Sequence, residues 1–133
     1  MLYKTAVLED DLLDIAVAKA QGWVLDHIWD QDAGRLTTWR YWKSKNGEVV
    51  STPASKQIQE THYNPSTKWD HGGPIIEREK ITVTHVACVW GAFTNQYRAK
   101  DKLSYPILIE GQTPLVAAMR LFVASKLGDE VEL

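Results

Sequence analysis

The sequence holds a single cysteine, Cys88, among 133 residues. One thiol cannot close an internal disulfide, so the fold has to be held by its core, as expected of a chain kept in a reducing cytosol. Long apolar runs are missing as well. Nothing approaches the ~20 residues of a bilayer-spanning helix, and the N-terminus lacks the basic start and apolar stretch of a signal peptide. Positive charge is scarce: 15 Lys and Arg against 17 Asp and Glu leave a formal net charge of -2. That balance disfavours non-specific coating of nucleic acid or of an anionic membrane, both of which need a strongly basic surface. Also absent are the phosphate-binding loop with its lysine, the dinucleotide fingerprint, the paired-histidine zinc helix and the nucleophile elbow. The expectation is a non-enzymatic protein with no catalytic residues, no metal ligands and no cofactor.

What is present is ordinary for a globular chain, 44% hydrophobic and 24% charged, and the length suits one domain spanning residues 1–133. The surplus is in tryptophan, six in all. Each brings a large apolar area and one N–H that needs a partner, which means a bulky core or an aromatic binding surface. Helical spacing of Leu12, Leu13, Ile15, Ala16, Val17 and Ala20, behind the acids Glu9, Asp10 and Asp11 and ahead of Gly22, predicts a first helix. Residues 23–34 read as a loop or weak strand. Residues 36–45 read as a strand with Trp39 and Tyr41 on one face, turned by Asn46-Gly47 into a return strand over residues 48–52. Residues 53–62 read as loop. Residues 81–84 and 86–93 read as two strands or one long bent one, and residues 105–110 as a further strand. Thr113-Pro114 then opens a helix, hydroxyl cap followed by proline, with the stripe Leu115, Ala118, Met119, Phe122 and Val123 ending at Gly128. The sum is an α+β fold: an N-terminal helix, a small, mostly antiparallel sheet of about four to five strands, and a C-terminal helix packed on that sheet.

Two features invite a functional reading and have plain counterparts. Arg35, Arg40, Lys43 and Lys45 alternate with Trp39, Tyr41 and Trp42, which suits phosphates and stacked bases; a strand with one core face and one solvated basic face explains them equally, and nucleic acid is not the expected partner. His62, His71 and Asp70 are metal-binding residue types at a spacing that fits no ligand rule. Cys88, inside the apolar run Val86-Ala87-Cys88-Val89-Trp90, is expected to be a small buried hydrophobe. Glu77-Arg78-Glu79-Lys80 reads as exposed alternating charge.

The densest segment is Tyr63-Asn64-Pro65-Ser66-Thr67-Lys68-Trp69-Asp70-His71-Gly72-Gly73-Pro74-Ile75-Ile76-Glu77-Arg78-Glu79. Asn64-Pro65-Ser66-Thr67 is turn chemistry, Gly72 is suited to a positive φ, and Pro74 is suited to begin a helical turn running to Glu79. Two glycines entering a helix start would leave N–H groups open to a phosphate or carboxylate, with Trp69 stacking on a planar ring. The same residues serve equally as a tight turn whose Trp69, Ile75 and Ile76 plug the core.

Leu13-Asp14-Ile15-Ala16-Val17-Ala18-Lys19-Ala20-Gln21-Gly22, the block from Pro65-Ser66-Thr67-Lys68-Trp69-Asp70-His71-Gly72-Gly73-Pro74 to Glu79, and Thr113-Pro114-Leu115-Val116-Ala117-Ala118-Met119-Arg120 with Ser125-Lys126-Leu127-Gly128 resemble the NinX-like proteins of phages and prophages. The resemblance covers both ends and the middle, and it implies an origin rather than a mechanism: a small accessory protein made by a phage in the cytoplasm of its bacterial host. Two departures stand out. Lys68 occupies a position where the resemblance implies an acid, and Lys80 one where it implies a glycine, so a strained turn is expected at residue 80.

The resulting expectation is a binding module that captures a small anionic ligand, such as a signalling nucleotide, in a counter-defence role. Asn64, Ser66, Thr67, Trp69, Asp70, Gly72, Gly73, Glu77 and Arg78 form the candidate site. Trp69 would stack, the Gly72 and Gly73 amides and Arg78 would meet the phosphate, and Asn64, Ser66 and Thr67 would add hydrogen bonds. The alternative is a protein–protein module that docks a host protein through exposed Trp and Arg residues. A homo-oligomer is compatible with either, and no membrane partner is expected.

Overall fold

The computed structural model describes residues 2–30, 38–43, 49–53, 63–98 and 106–133. In chain order the elements are β1 (Leu2–Lys4), a 3-10 turn (Thr5–Val7), α1 (Asp10–Ala20), β2 (Val24–Asp30), β3 (Thr38–Lys43), β4 (Val49–Pro53), α2 (Trp69–Arg78), β5 (Thr82–Val86), β6 (Val89–Phe93), β7 (Ile109–Gly111), α3 (Pro114–Leu127) and β8 (Glu130–Glu132). The strands form three antiparallel sheets in the orders β1-β8, β2-β3-β4 and β5-β6-β7. The fold is α+β with the C-terminal helix on a sheet, as the sequence predicts. The sheet itself differs: the one that carries α3 has three strands rather than four or five, and the remaining strands are divided between two further sheets. β1 and β8 are too short to show a period in the sequence, and β2 occupies the irregular stretch read as loop or weak strand. The Asn46-Gly47 turn lies outside the described residues, as does the stretch read as loop over residues 53–62 except for Pro53, which ends β4.

α3 organises the core. Its expected stripe of Leu115, Ala118, Met119, Phe122 and Val123 is buried, but so are Ala117, Leu121 and Ala124. The helix is apolar on most of its circumference because it packs on β5, β6 and β7 and also on α1, α2 and β8, the situation that calls for an all-round hydrophobic helix rather than an amphipathic one. The predicted cap is in place: the Val116 N–H donates to Thr113 Oγ1 at 3.1 Å, with Pro114 at the first helical position. Arg120, the one strong charge within α3 before its last turn, reaches out to the carbonyls of Leu8 (2.7 Å) and Glu110 (3.0 Å). A second, smaller cluster places Trp42 of β3 against Ile15 and Ala18 of α1.

α1 and α2 end in the same way. After α1, the Gly22 N–H donates to Lys19 O and the Trp23 N–H to Ala18 O; after α2, the Lys80 N–H donates to Glu77 O and the Ile81 N–H to Ile76 O. Both are double C-terminal caps that need a left-handed residue at their centre. Gly22 supplies it in the first case at φ 80, whereas Lys80 supplies it in the second at φ 53. The turn between β5 and β6 is also left-handed, at Ala87 (φ 50) and Cys88 (φ 66). Cys88 is therefore exposed at a hairpin tip, not buried as its apolar neighbours suggested. The closing pair Val86 and Val89 leaves only a two-residue loop, and positive φ at both of its positions is the type I′ form whose twist matches that of the flanking strands.

Replacing Lys80 with Gly should remove the left-handed strain without disturbing the cap, so Lys80→Gly is expected to raise unfolding stability by about 1 kcal/mol. Urea denaturation of the two proteins checks this, and equal midpoints would show that the backbone at 80 carries no strain.

Candidate functional site

The segment before α2 is a turn tied to α1. Asn64 O accepts the N–H of Thr67 (3.1 Å) and of Lys68 (2.8 Å), which closes the predicted Asn-Pro-Ser-Thr turn. The Ser66 N–H donates to Asp14 Oδ1 of α1 at 2.9 Å, a buried contact between residues far apart in the chain. The Asn64 N–H donates to His71 Nδ1 at 2.9 Å. Tyr63 lies stacked on His71, ring centroids 5.2 Å apart, and tilted against Trp23 at 4.7 Å, while its hydroxyl accepts from Gln21 Nε2 at 2.7 Å. The end of α1 and the start of α2 are thus joined by a polar and aromatic cluster.

The titration behaviour follows from that enclosure. Asp14 is 3% exposed. Burial pushes its carboxyl up to about 7, against the favourable Ser66 hydroxyl and N–H, and Asp11 and Asp10 push it further the same way. The Ser66 hydroxyl favours the carboxylate by proximity but reaches no hydrogen-bond geometry with any group among the described residues. Burial of the Tyr63 phenol raises it to about 12. His71 is lowered, first by burial and then by the Lys68 ammonium, with Asp70 opposing; a neutral ring is also what the Asn64 N–H requires, since Nδ1 must accept.

α2 begins at Trp69, five residues earlier than the proline-led start at Pro74 that the sequence suggested. Gly72, Gly73 and Pro74 lie inside the helix, and Gly72 has no positive φ. The Gly72 N–H donates to Lys68 O at 2.9 Å, so its amide is spent on the helix. The reason for glycine there is close packing: a Cβ would press into the Pro65 carbonyl oxygen and come within 2.6 Å of Leu115 Cδ2. Gly73 is different, with nothing within 4 Å of its Cβ position. Lys68 sits at the N-cap and gives no side-chain cap, as a residue without an acceptor must.

The candidate residues therefore separate into three groups. Asn64, Ser66 and Gly72 are buried in the joint. Thr67, Trp69 and Asp70 are exposed at the start of α2, with Gly73 half-buried beside them. Glu77 and Arg78 are exposed at the other end, about 13 Å along the helix axis from Trp69. There Arg78 pairs with Glu79 (3.2 Å), which also meets Lys126 (3.3 Å), and lies 5.8 Å from the centre of the Phe122 ring. One small ligand does not span all three groups. Asp14 and Gln21 belong to the joint and were not singled out from sequence, and His71, noted there only as a metal-binding residue type, belongs to it as well; the signal for Asp14 was a lone acid inside the apolar run Leu13 to Ala18.

Two predictions follow from this geometry. Gly72→Ala should destabilise by roughly 2 kcal/mol through overpacking, whereas Gly73→Ala should stabilise by about 0.5–1 kcal/mol through helix propensity; equal effects in thermal melts would contradict the packing argument. Asp14 and His71 pull in opposite directions with pH. The raised Asp14 carboxyl gives a contribution that is full below its ordinary value of 3.8 and is lost as pH rises through about 7. The lowered His71 gives one that is full above its ordinary 6.5 and is lost as pH falls through its folded value. Asp14→Asn keeps an acceptor for the Ser66 N–H and removes the first term. It should gain on the wild type by roughly 2–4 kcal/mol between pH 4 and pH 8; parallel pH–stability curves would refute the assignment.

The protein-family model described as Bacteriophage P22, NinX matches residues 4–126 of the chain. Among curated proteins, none matches at a significant level.

Proposed function

Because the chain belongs to the NinX family of bacteriophage P22, we propose that it is a phage accessory protein of the host cytoplasm, acting by binding rather than catalysis, and that the first two turns of α2 dock a host protein. The observation that carries this reading is Trp69, 55% exposed on a helix whose other large apolar residues, Ile75 and Ile76, are buried and half-buried against the core. A half-exposed tryptophan on a rigid helix is an anchor type for protein interfaces. Around it Gly73 offers open space and Pro74 an exposed apolar ring, which leaves room for a partner side chain to lie flat. Asp14, the most strongly perturbed acid among the described residues, is buried behind Ser66 and has no access to a substrate. No helix among the described residues is long and apolar enough to cross a membrane.

A small anionic ligand is the second reading, favoured by one observation. The Trp69 and Asp70 N–H groups at the start of α2 meet no acceptor among the described residues, and Lys68 adds positive charge there, a combination that attracts phosphate or carboxylate. A nucleotide would then rest on Trp69, with Thr67 beside it, and Arg78 would take no part.

Trp69→Ala separates binding from folding, because an exposed side chain leaves stability within about 0.5 kcal/mol. Host proteins captured by the wild type from a bacterial lysate should be lost by the variant. An unchanged set of captured proteins, with unchanged melting, would remove Trp69 as the anchor. Thermal stabilisation by mononucleotides or dinucleotides, abolished in the same variant, would move the reading to the anionic ligand.

A further inference from the structure

From Ile81 to Phe93 the chain carries no Asp, Glu, Lys or Arg, and this stretch folds as the β5–β6 hairpin. Its tip, Val86-Ala87-Cys88-Val89, is exposed throughout, with Val86 at 56% and Val89 at 38%. Consecutive exposed apolar residues of this kind are not expected on a surface that meets only water. Below the tip, β5 pairs with β6 on one side and with no strand on the other among the described residues.

The hydrogen-bonding pattern of that free edge follows from the turn. Val86 and Val89 close a two-residue loop with left-handed residues, so they form a hydrogen-bonded pair, and alternation gives the same role to Thr84 with Gly91 and Thr82 with Phe93. The N–H and C=O groups of Val83 and His85 therefore point outward. Natural sheets protect such edges with charge, proline or a bulge, and β5 (Thr-Val-Thr-His-Val) has none of these.

We propose that two copies of the chain pair through β5, antiparallel, about a two-fold axis at Thr84. In that register Val83 of one copy faces His85 of the other, and all four outward groups on each copy are satisfied. Thr82 faces Val86, Thr84 faces its own counterpart, and no like charges meet. A contact between identical surfaces has to be complementary to itself, a condition that a charged edge fails and this edge meets. The result is a continuous sheet of six strands built from two of three, flanked by the apolar tips.

Sedimentation velocity over a range of protein concentrations tests the proposal. The wild type should show a concentration-dependent dimer. Thr84→Lys, which sets two ammonium groups directly opposite, should weaken it by roughly ten-fold or more. Val86→Lys, at a position already exposed, should weaken it too and keeps the test valid if Thr84→Lys disturbs the fold, as circular dichroism would reveal. A spin label on Cys88, the one cysteine of the chain, should report a single intermolecular distance of roughly 20–30 Å. A monomer at every concentration, a dimer that Val86→Lys leaves as strong as the wild type, or a label distance outside that range would each overturn the proposal. The first of these is also the outcome expected if the edge receives a strand from another protein.

Discussion

The structure depends on the burial of α3 on almost every side. A helix with Leu115, Met119, Leu121, Phe122 and Val123 all withdrawn from water has no solvent face to orient it, so neighbours must cover it from several directions at once. The β5-β6-β7 sheet does so on one side and α1 and α2 on others. Each of those elements is small, and a three-stranded sheet or a ten-residue helix has little stability in isolation. Their dependence on α3 explains why Gly72 of α2 is pressed against Leu115: the approach of α2 to α3 is close enough to leave no room for a methyl group.

That same closeness accounts for what the sequence showed and what it hid. α1 and α3 were legible because their ends are written in local chemistry, Gly22 after one and Thr113-Pro114 before the other, and the antiparallel hairpin of β3 and β4 was legible through its alternation. α2 was legible only at its far end. Gly72, Gly73 and Pro74 are poor helix formers, and Pro74 removes the donor that the Asp70 carbonyl would otherwise meet. Local preference argued for a turn followed by a helix; packing against Pro65 and Leu115 imposed a helix from Trp69. The Ala87-Cys88 turn was hidden for a similar reason. Neither residue belongs to the usual left-handed set, and only the pairing of β5 with β6 forces them there.

The candidate site was half legible. Reading residues 63–79 as a specific segment did mark residues that the structure ties to α1 and α2, since its polar residues are too regular for a simple loop. Their roles divide in a way that spacing alone does not reveal. Asn64 and Ser66 face inward to His71 and Asp14, so their hydrogen bonds hold α1 to α2 and are not offered to a ligand. Residues that serve this joint look, in sequence, like residues that serve a binding pocket, since both tasks use turn residues whose backbone N–H groups are left free to donate, here those of Asn64 and Ser66. The distinction is made by Asp14, 52 residues before the Ser66 it holds, a contact between distant parts of the chain.

Once the joint is set aside, two exposed features carry the binding arguments: the start of α2 and, beyond the end of that helix and the Glu79-Lys80-Ile81 link, the β5–β6 hairpin. Their chemistry differs. Trp69 stands beside Lys68 and Asp70 on a rigid helix, and suits a partner with both apolar and charged groups. The hairpin is uncharged and offers backbone groups, and suits a copy of itself. The two uses are compatible and reinforce each other: a dimer joined through β5 presents Trp69 twice. A partner that is itself repeated or oligomeric then gains from the high effective concentration of the second contact, by factors that exceed what one exposed tryptophan supplies. In the proposed dimer a modest anchor would become a strong one by duplication rather than by enlargement of the surface.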